Sequence, residues 1–255
     1  WGQGDKALHC FEWMQSEGFS PDAITFICTL KACGSTGAID KGKQIHDNIV
    51  NSGLLEKEIM LGTALVDMYA KCNLLAKAQQ VLEELPERNV ASWNAMISTY
   101  VEFEQVDSAL QLFNHMLKEG VSPNMWTFVI TLQACCILAD KEESFLVDSH
   151  FIKPICLDIV CAIHDDVEQN GFASHIFVGN TLLTAYGKCG DIKKAKEVFC
   201  SLHNSNVISW NAMLSVYIEQ DKNDMALYLY RQMVEDRVCS SEQTFTIAIQ
   251  ACVNI

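Results

Sequence analysis

The phrase SWNAM stands at residues 92–96 and again at 209–213, an offset of 117. The match runs far beyond five residues. LGTALVDMYAKCNLLAKAQQVLEELPERNV at 61–90 pairs with VGNTLLTAYGKCGDIKKAKEVFCSLHNSNV at 178–207 at the same offset. TFICTLKAC at 25–33 pairs with TFVITLQAC at 127–135 and with TFTIAIQAC at 244–252. A chain that repeats itself this way is an array of small units, and the period decides the architecture before any single residue does. Cutting at equivalent points gives units at 23–58, 59–89, 90–124, 125–175, 176–206 and 207–241, with partial units at 1–22 and 242–255. Their lengths run 36, 31, 35, 51, 31 and 35. The long fourth unit carries an insert near 141–157, because QIHDNIVNSG at 44–53 meets AIHDDVEQNG at 162–171 at an offset of 118 while the upstream phrases met at 102.

Each unit reads as two amphipathic helices. In the unit at 90–124, Trp93, Met96, Ile97 and Tyr100 share one face, and Val106, Ala109, Leu110, Phe113, Met116 and Leu117 form a second stripe. Gly120 with Pro123, and Gly18 with Pro21 after a helix expected over 5–17, are helix-ending pairs. Only 4 prolines and 13 glycines punctuate the chain, too few for a sandwich of short strands. Two helices of about 12–14 residues cannot enclose their own apolar faces, so units must stack on neighbours. The expected fold is all-α, a solenoid of antiparallel helix pairs.

Composition bounds the partners. With 49% hydrophobic residues the chain can bury a core, and its net charge of −14 counts against a nucleic-acid backbone unless basic groups gather locally. The basic runs KGK at 41–43 and DIKKAK at 191–196 also fit solvated helix faces. No apolar run approaches the ~20 residues of a membrane helix. The start, at Trp1, has no signal- or transit-peptide pattern; both ends read as cut, so that absence excludes no organelle. Twelve cysteines without C-x-x-C spacing indicate a reducing compartment. Cys33, Cys135 and Cys252 recur at one place, Cys72 and Cys189 at another, which marks them as packing residues. Cys156, Cys161 and His164 lack the spacing of structural zinc sites, and His46 and His164 read as structural histidines. No cofactor and no catalytic pair emerge.

Order, lengths and phrases together resemble the plant-type pentatricopeptide repeat proteins, in the subclass that alternates long, short and standard motifs. The resemblance covers nearly the whole chain: TFICTLKACGSTGAIDKGKQIHDNIVNSG looks like a long motif, ALVDMYAKCNLLAKAQQVLEELPERN a short one, and VASWNAMISTYVEFEQVDSALQLFNHMLKEGVSPN a standard one. Tetratricopeptide repeats, at about 34 residues, do not produce this alternation.

The resemblance implies a right-handed solenoid and one RNA base per motif, read by the fifth and last residues and stacked on the second. Carried over, the base-reading residues are Thr63 with Asn89 (adenine), Asn94 with Asn124 and Asn180 with Asn206 (a pyrimidine each), and Asn211 with Ser241 (cytosine). The stacking residues are Met60, Ala91, Trp126, Phe177 and Ile208, with Ile24 in the leading long motif. Ile27 and Val129 occupy the fifth place of the long motifs as spacers, and the implied site is A-Y-N-Y-C, with Y a pyrimidine and N any base. Asn at a first turn is also a common cap, which is the competing reading of Asn94, Asn180 and Asn211.

The expected function is sequence-specific binding of single-stranded RNA in a mitochondrion or chloroplast, serving editing, processing or stabilisation. No H-x-E or P-C-x-x-C deaminase signature appears, so a separate editing or processing protein would supply any chemistry. The alternative is a helical scaffold for a basic peptide or protein. The insert stands as a surface loop, a partner site or an error in reading the gene.

Overall fold

Most of the first helices in this chain start at a side-chain cap. Asp22, Asn89, Asn124, Asn206 and Ser241 each precede a helix and accept a hydrogen bond from the backbone N–H three residues on, which satisfies a donor that the helix leaves orphaned. At Asn124, Asn206 and Ser241 the box closes, with the hydroxyl of Thr127, Ser209 or Thr244 accepting from the cap's own N–H. The Ser of the second SWNAM, Ser209, is therefore a capping-box residue, while in the first copy the Ser92 hydroxyl donates to the Asn89 carbonyl; the Trp and Met are core in both, with Trp93, Met96, Trp210 and Met213 all buried.

The computed structural model describes residues 2–147, 150–202 and 205–254. Trp1, residues 148–149 of the expected insert, residues 203–204 and Ile255 lie outside the described residues. The chain divides into two units, Trp1–Ser122 and Pro123–Ile255.

The first unit contains α1 (Gln3–Ser16), α2 (Ala23–Thr36), α3 (Ile39–Asn51), α4 (Ile59–Lys71), α5 (Leu75–Glu84), α6 (Val90–Glu102) and α7 (Val106–Lys118). Helices α2, α4 and α6 pack side by side as one layer; α1 backs α2, α3 bridges α2 and α4, α5 bridges α4 and α6, and α7 backs α6. The apolar stripe of α7 buries Val106, Ala109, Leu112, Phe113 and Met116. Leu112 thus replaces the expected Leu110 and Leu117, which are only half-buried, because the buried stripe is centred about one position away.

The second unit contains α8 (Met125–Lys141), β1 (Phe145–Val147), β2 (His150–Ile152), α9 (Pro154–Gln169), α10 (Ile176–Cys189), α11 (Ile192–Ser201), α12 (Val207–Glu219), α13 (Asn223–Glu235) and α14 (Glu242–Val253). Here α8, α10, α12 and α14 form the first-helix layer, and α9, α11 and α13 each bridge two of them. Both units are thus stacks of antiparallel helix pairs, an α-solenoid arrangement in which each pair buries its apolar face on the next.

The insert carries regular structure that the repeat period does not specify. It contains an antiparallel hairpin, with Phe145 opposite Ile152. Pro154 is the first residue of α9, where its missing N–H costs nothing. Lys153 provides no side-chain cap; instead the Glu142 carboxylate accepts from the N–H groups of Ile155 (2.9 Å) and Cys156 (2.8 Å). Cys33, Cys135 and Cys189 are buried and Cys72 is half-buried, but Cys252 is exposed because it lies on the last turn of α14, which packs only toward α12 and α13.

Close approach of α10 and α12 depends on Gly187. A Cβ there would collide with Cγ2 of Val216 and sit 3.2 Å from its Cβ. A β-branched side chain on a helix cannot rotate away. Gly187→Ala is therefore expected to lower unfolding free energy by ~1–3 kcal/mol through overpacking, despite the ~1 kcal/mol that alanine gains in helix propensity. Adding Val216→Ala should remove most of the collision component, which a double-mutant cycle by thermal or urea unfolding would measure.

Candidate nucleic-acid interface

The second and fifth residues of each motif are three apart on a first helix, so they lie on one face. At the second place in the first unit, Ile24, Met60 and Ala91 are exposed. In the second unit Trp126, Phe177 and Ile208 are exposed, Trp126 by 55% and Phe177 by 53%. Single exposed apolar side chains are ordinary, and Phe19, Phe103 and Tyr228 are others in this chain; what sets these apart is that they recur at one place of the repeat. Trp126 and Phe177 stack on each other, centroids 6.2 Å apart and planes inclined by 28°. His175, which sequence reasoning missed, extends the stack with its ring 5.8 Å from Phe177. Its position directly before α10 was the only signal that could have found it.

Fifth-place residues sit deeper. Thr63 and Asn94 in the first unit are half-buried, as is Asn180 in the second. The Thr63 hydroxyl and the Asn180 Oδ1 are buried without a hydrogen-bond partner in the protein. Such atoms are costly to leave unpaired, by about 1–3 kcal/mol each, and are poised to accept from a group that reaches them. Asn211 differs. Carried over as a base-reading residue, it is only 4% exposed. Its Nδ2 donates to the Ser241 hydroxyl at 3.1 Å, and its Oδ1 accepts from Thr244 at 2.7 Å. The next first helix, α14, thus seals it with polar partners. Among the long motifs, Ile27 is half-buried and Val129 is buried.

Last-place residues carry a duty the sequence reading had placed elsewhere. Asn89, Asn124, Asn206 and Ser241 are N-caps, of α6, α8, α12 and α14. The capping alternative weighed for Asn94, Asn180 and Asn211 does not describe them, because each lies at the fifth position of its helix, past the cap. Asn206 alone holds two N–H groups, of Ile208 at 3.0 Å and Ser209 at 3.1 Å, and is exposed. Within the second unit the structure brings Asn211 and Ser241 into direct contact.

On the second-helix side, His46 and His164 bond through Nδ1 to Tyr69 and Tyr186, 2.9 Å each. Burial holds both imidazoles below their ordinary value, and pushes the Tyr69 hydroxyl up to about 12. These pairs pack a long motif's second helix against the following short motif.

Family models agree with the repeat. The model described as PPR repeat family matches residues 88–137 and 205–254, and that described as PPR repeat matches 63–90 and 180–207, together more than half of the chain. The chain belongs to the pentatricopeptide repeat family. Similar relatives in Arabidopsis thaliana include the pentatricopeptide repeat-containing protein At2g33680, 34% identical over 98% of this chain and 32% of its own length. At4g18520, named as chloroplastic, is 32% identical over 100% of this chain and 38% of its own. At3g09040, named as mitochondrial, is 32% identical over 98% and 23%. The chain therefore spans about a quarter to two fifths of these relatives. Among solved structures, the pentatricopeptide repeat protein PPR10 in complex with an 18-nt psaJ RNA element matches with a TM-score of 0.65, at 16% identity, over 98% of this chain and 35% of that one. No described helix is long and apolar enough to cross a membrane.

Capping at the last place predicts a stability cost separate from any ligand. Asn206→Ala should lower unfolding free energy by ~1 kcal/mol, while Asn206→Asp should leave it nearly unchanged, as read by urea titration.

Proposed function

We propose that this chain binds single-stranded RNA along its first-helix layer, one motif to a nucleotide, with no catalytic step of its own. The observation that carries this reading is the exposed second place: every first helix with a stacking candidate turns that side chain to solvent beside a polar or spacer residue at the fifth. A base stacked on an aromatic platform is worth roughly 1–3 kcal/mol, which puts Trp126 and Phe177 at the head of the affinity and Ala91 at its foot. Thr63 with Asn89 takes adenine and Asn180 with Asn206 a pyrimidine, while Asn211 with Ser241 takes cytosine only on giving up the bonds to Ser241 and Thr244 that seal Asn211. The pair Asn94 and Asn124, assigned by sequence register alone, takes a pyrimidine. Asn and Thr suit this work because a short amide or hydroxyl on a rigid helix separates donors from acceptors on a base edge.

PPR10 was crystallised with an RNA element, and relatives carry chloroplastic or mitochondrial names, which supports an organellar RNA role in editing, processing or stabilisation beside a separate protein that supplies any chemistry. The net charge of −14 favours one rival, a scaffold for a basic peptide.

The test is affinity of this chain for a short RNA of the order A-Y-N-Y-C against a scrambled RNA, at two salt concentrations. Tighter binding to the ordered RNA is expected, with Trp126→Ala or Phe177→Ala weakening it by ~1–3 kcal/mol, about 5- to 150-fold. Equal affinity for both sequences would end the code. Binding to a Lys- and Arg-rich peptide with none to either RNA would establish the scaffold instead.

A further inference from the structure

The second round of motifs holds a thiol pair that the first round lacks. Cys156 lies in the first turn of α9, Cys189 is the last residue of α10, and both are fully buried. Their Sγ atoms are 3.1 Å apart, with the Cys189 thiol donating to Cys156. The Cys156 thiol donates in turn to the Cys135 carbonyl, 3.1 Å away. Backbone contacts fix this arrangement: the Lys153 N–H donates to the Cys189 carbonyl at 3.0 Å, and Glu142 clamps the N–H of Cys156.

The first round shows what the insert changed. By the register that aligns 162–171 with 44–53, Cys156 falls where the first round has Ala38. Cys189 corresponds to Cys72, whose thiol meets only the Cys33 carbonyl, at 3.8 Å. The insert has therefore delivered a second sulfur onto a cysteine that elsewhere only packs.

We infer that Cys156 and Cys189 form an oxidative modification site, which a hydroperoxide converts to an intramolecular disulfide between α9 and α10. The chemistry balances in two steps. The Cys156 sulfur attacks one peroxide oxygen, the O–O bond breaks, and water leaves with the thiol proton, giving a sulfenic acid. The Cys189 sulfur then attacks the Cys156 sulfur; the S–S bond forms, the S–O bond breaks, and a second water leaves with the Cys189 proton. Two electrons pass from the sulfurs to the peroxide. The shared hydrogen bond favours this division of labour, since it holds Cys156 below the ordinary thiol value and Cys189 above it. The sulfurs need to close by about 1 Å to reach bonding distance, ~2.05 Å. Burial slows the first step, so the reaction is one of sustained oxidant exposure rather than of rapid sensing.

Hydrogen peroxide is the probe. The folded chain is oxidised, alkylated in denaturant, digested and mapped by mass spectrometry. The expected result is a Cys156–Cys189 peptide as the dominant cross-link, reversed by dithiothreitol, with a melting temperature raised by several degrees. Cys156→Ala, which reproduces the Ala38 of the first round, should abolish both the cross-link and the shift while melting like the reduced parent. Two outcomes would overturn the assignment: Cys156 and Cys189 still alkylatable after the exposed Cys10, Cys28, Cys200 and Cys239 have oxidised, or the same cross-link forming as readily in the denatured chain.

Discussion

The polar link between the last residue of one motif and the third residue of the next is the interaction on which the structure depends. It satisfies helix-terminal N–H groups and so fixes where α2, α6, α8, α12 and α14 begin, while α4 and α10 start without a side-chain cap. Once α6 begins at Val90 and α12 at Val207, Trp93, Met96, Trp210 and Met213 fall on the buried face. Ala91, Trp126 and Ile208 fall on the exposed one by the same rule, and Met60 and Phe177, on the uncapped α4 and α10, hold the same place. A one-residue shift in helix start would rotate every one of these by about 100° and lose both the core and the row of exposed side chains. Capping energy is small, about 1 kcal/mol per site, but it sets a register that the much larger burial energy then enforces.

Much of this was legible because it is periodic. The first helices begin at Ala23, Ile59, Val90, Met125, Ile176, Val207 and Glu242, the first residues of the units cut from the sequence. Periodicity says where a face lies and nothing about which polar atoms meet across it. The resemblance thus makes Asn89, Asn124, Asn206 and Ser241 base contacts, and only the structure shows that they cap helices. The sealing of Asn211 depends on Thr244, 33 residues away and on another helix, at 2.7 Å. No local pattern encodes that contact. The hairpin at 145–152 escaped for a different reason: each strand is three residues long, shorter than any alternation can specify.

Duplication also separates what the fold requires from what one round has added. The histidine–tyrosine pairs His46–Tyr69 and His164–Tyr186 occur in both rounds with the same 2.9 Å bond. They belong to the shared packing. The aromatic stack of Trp126, Phe177 and His175 and the thiol pair occur where the second round differs in sequence, at equivalent places held in the first by Ile24, Met60 and Ala38. Shared features set the frame, and the differences give the second unit its own surface and its own redox chemistry.

Photo-cross-linking to an RNA carrying 4-thiouridine, followed by peptide mapping, tests the central claim most directly. If nucleotides lie along the first helices, adducts will form at Met60, Trp126, Phe177 or Ile208 and their immediate neighbours. Adducts confined to the second helices α3, α5, α7, α9, α11 and α13 would contradict it.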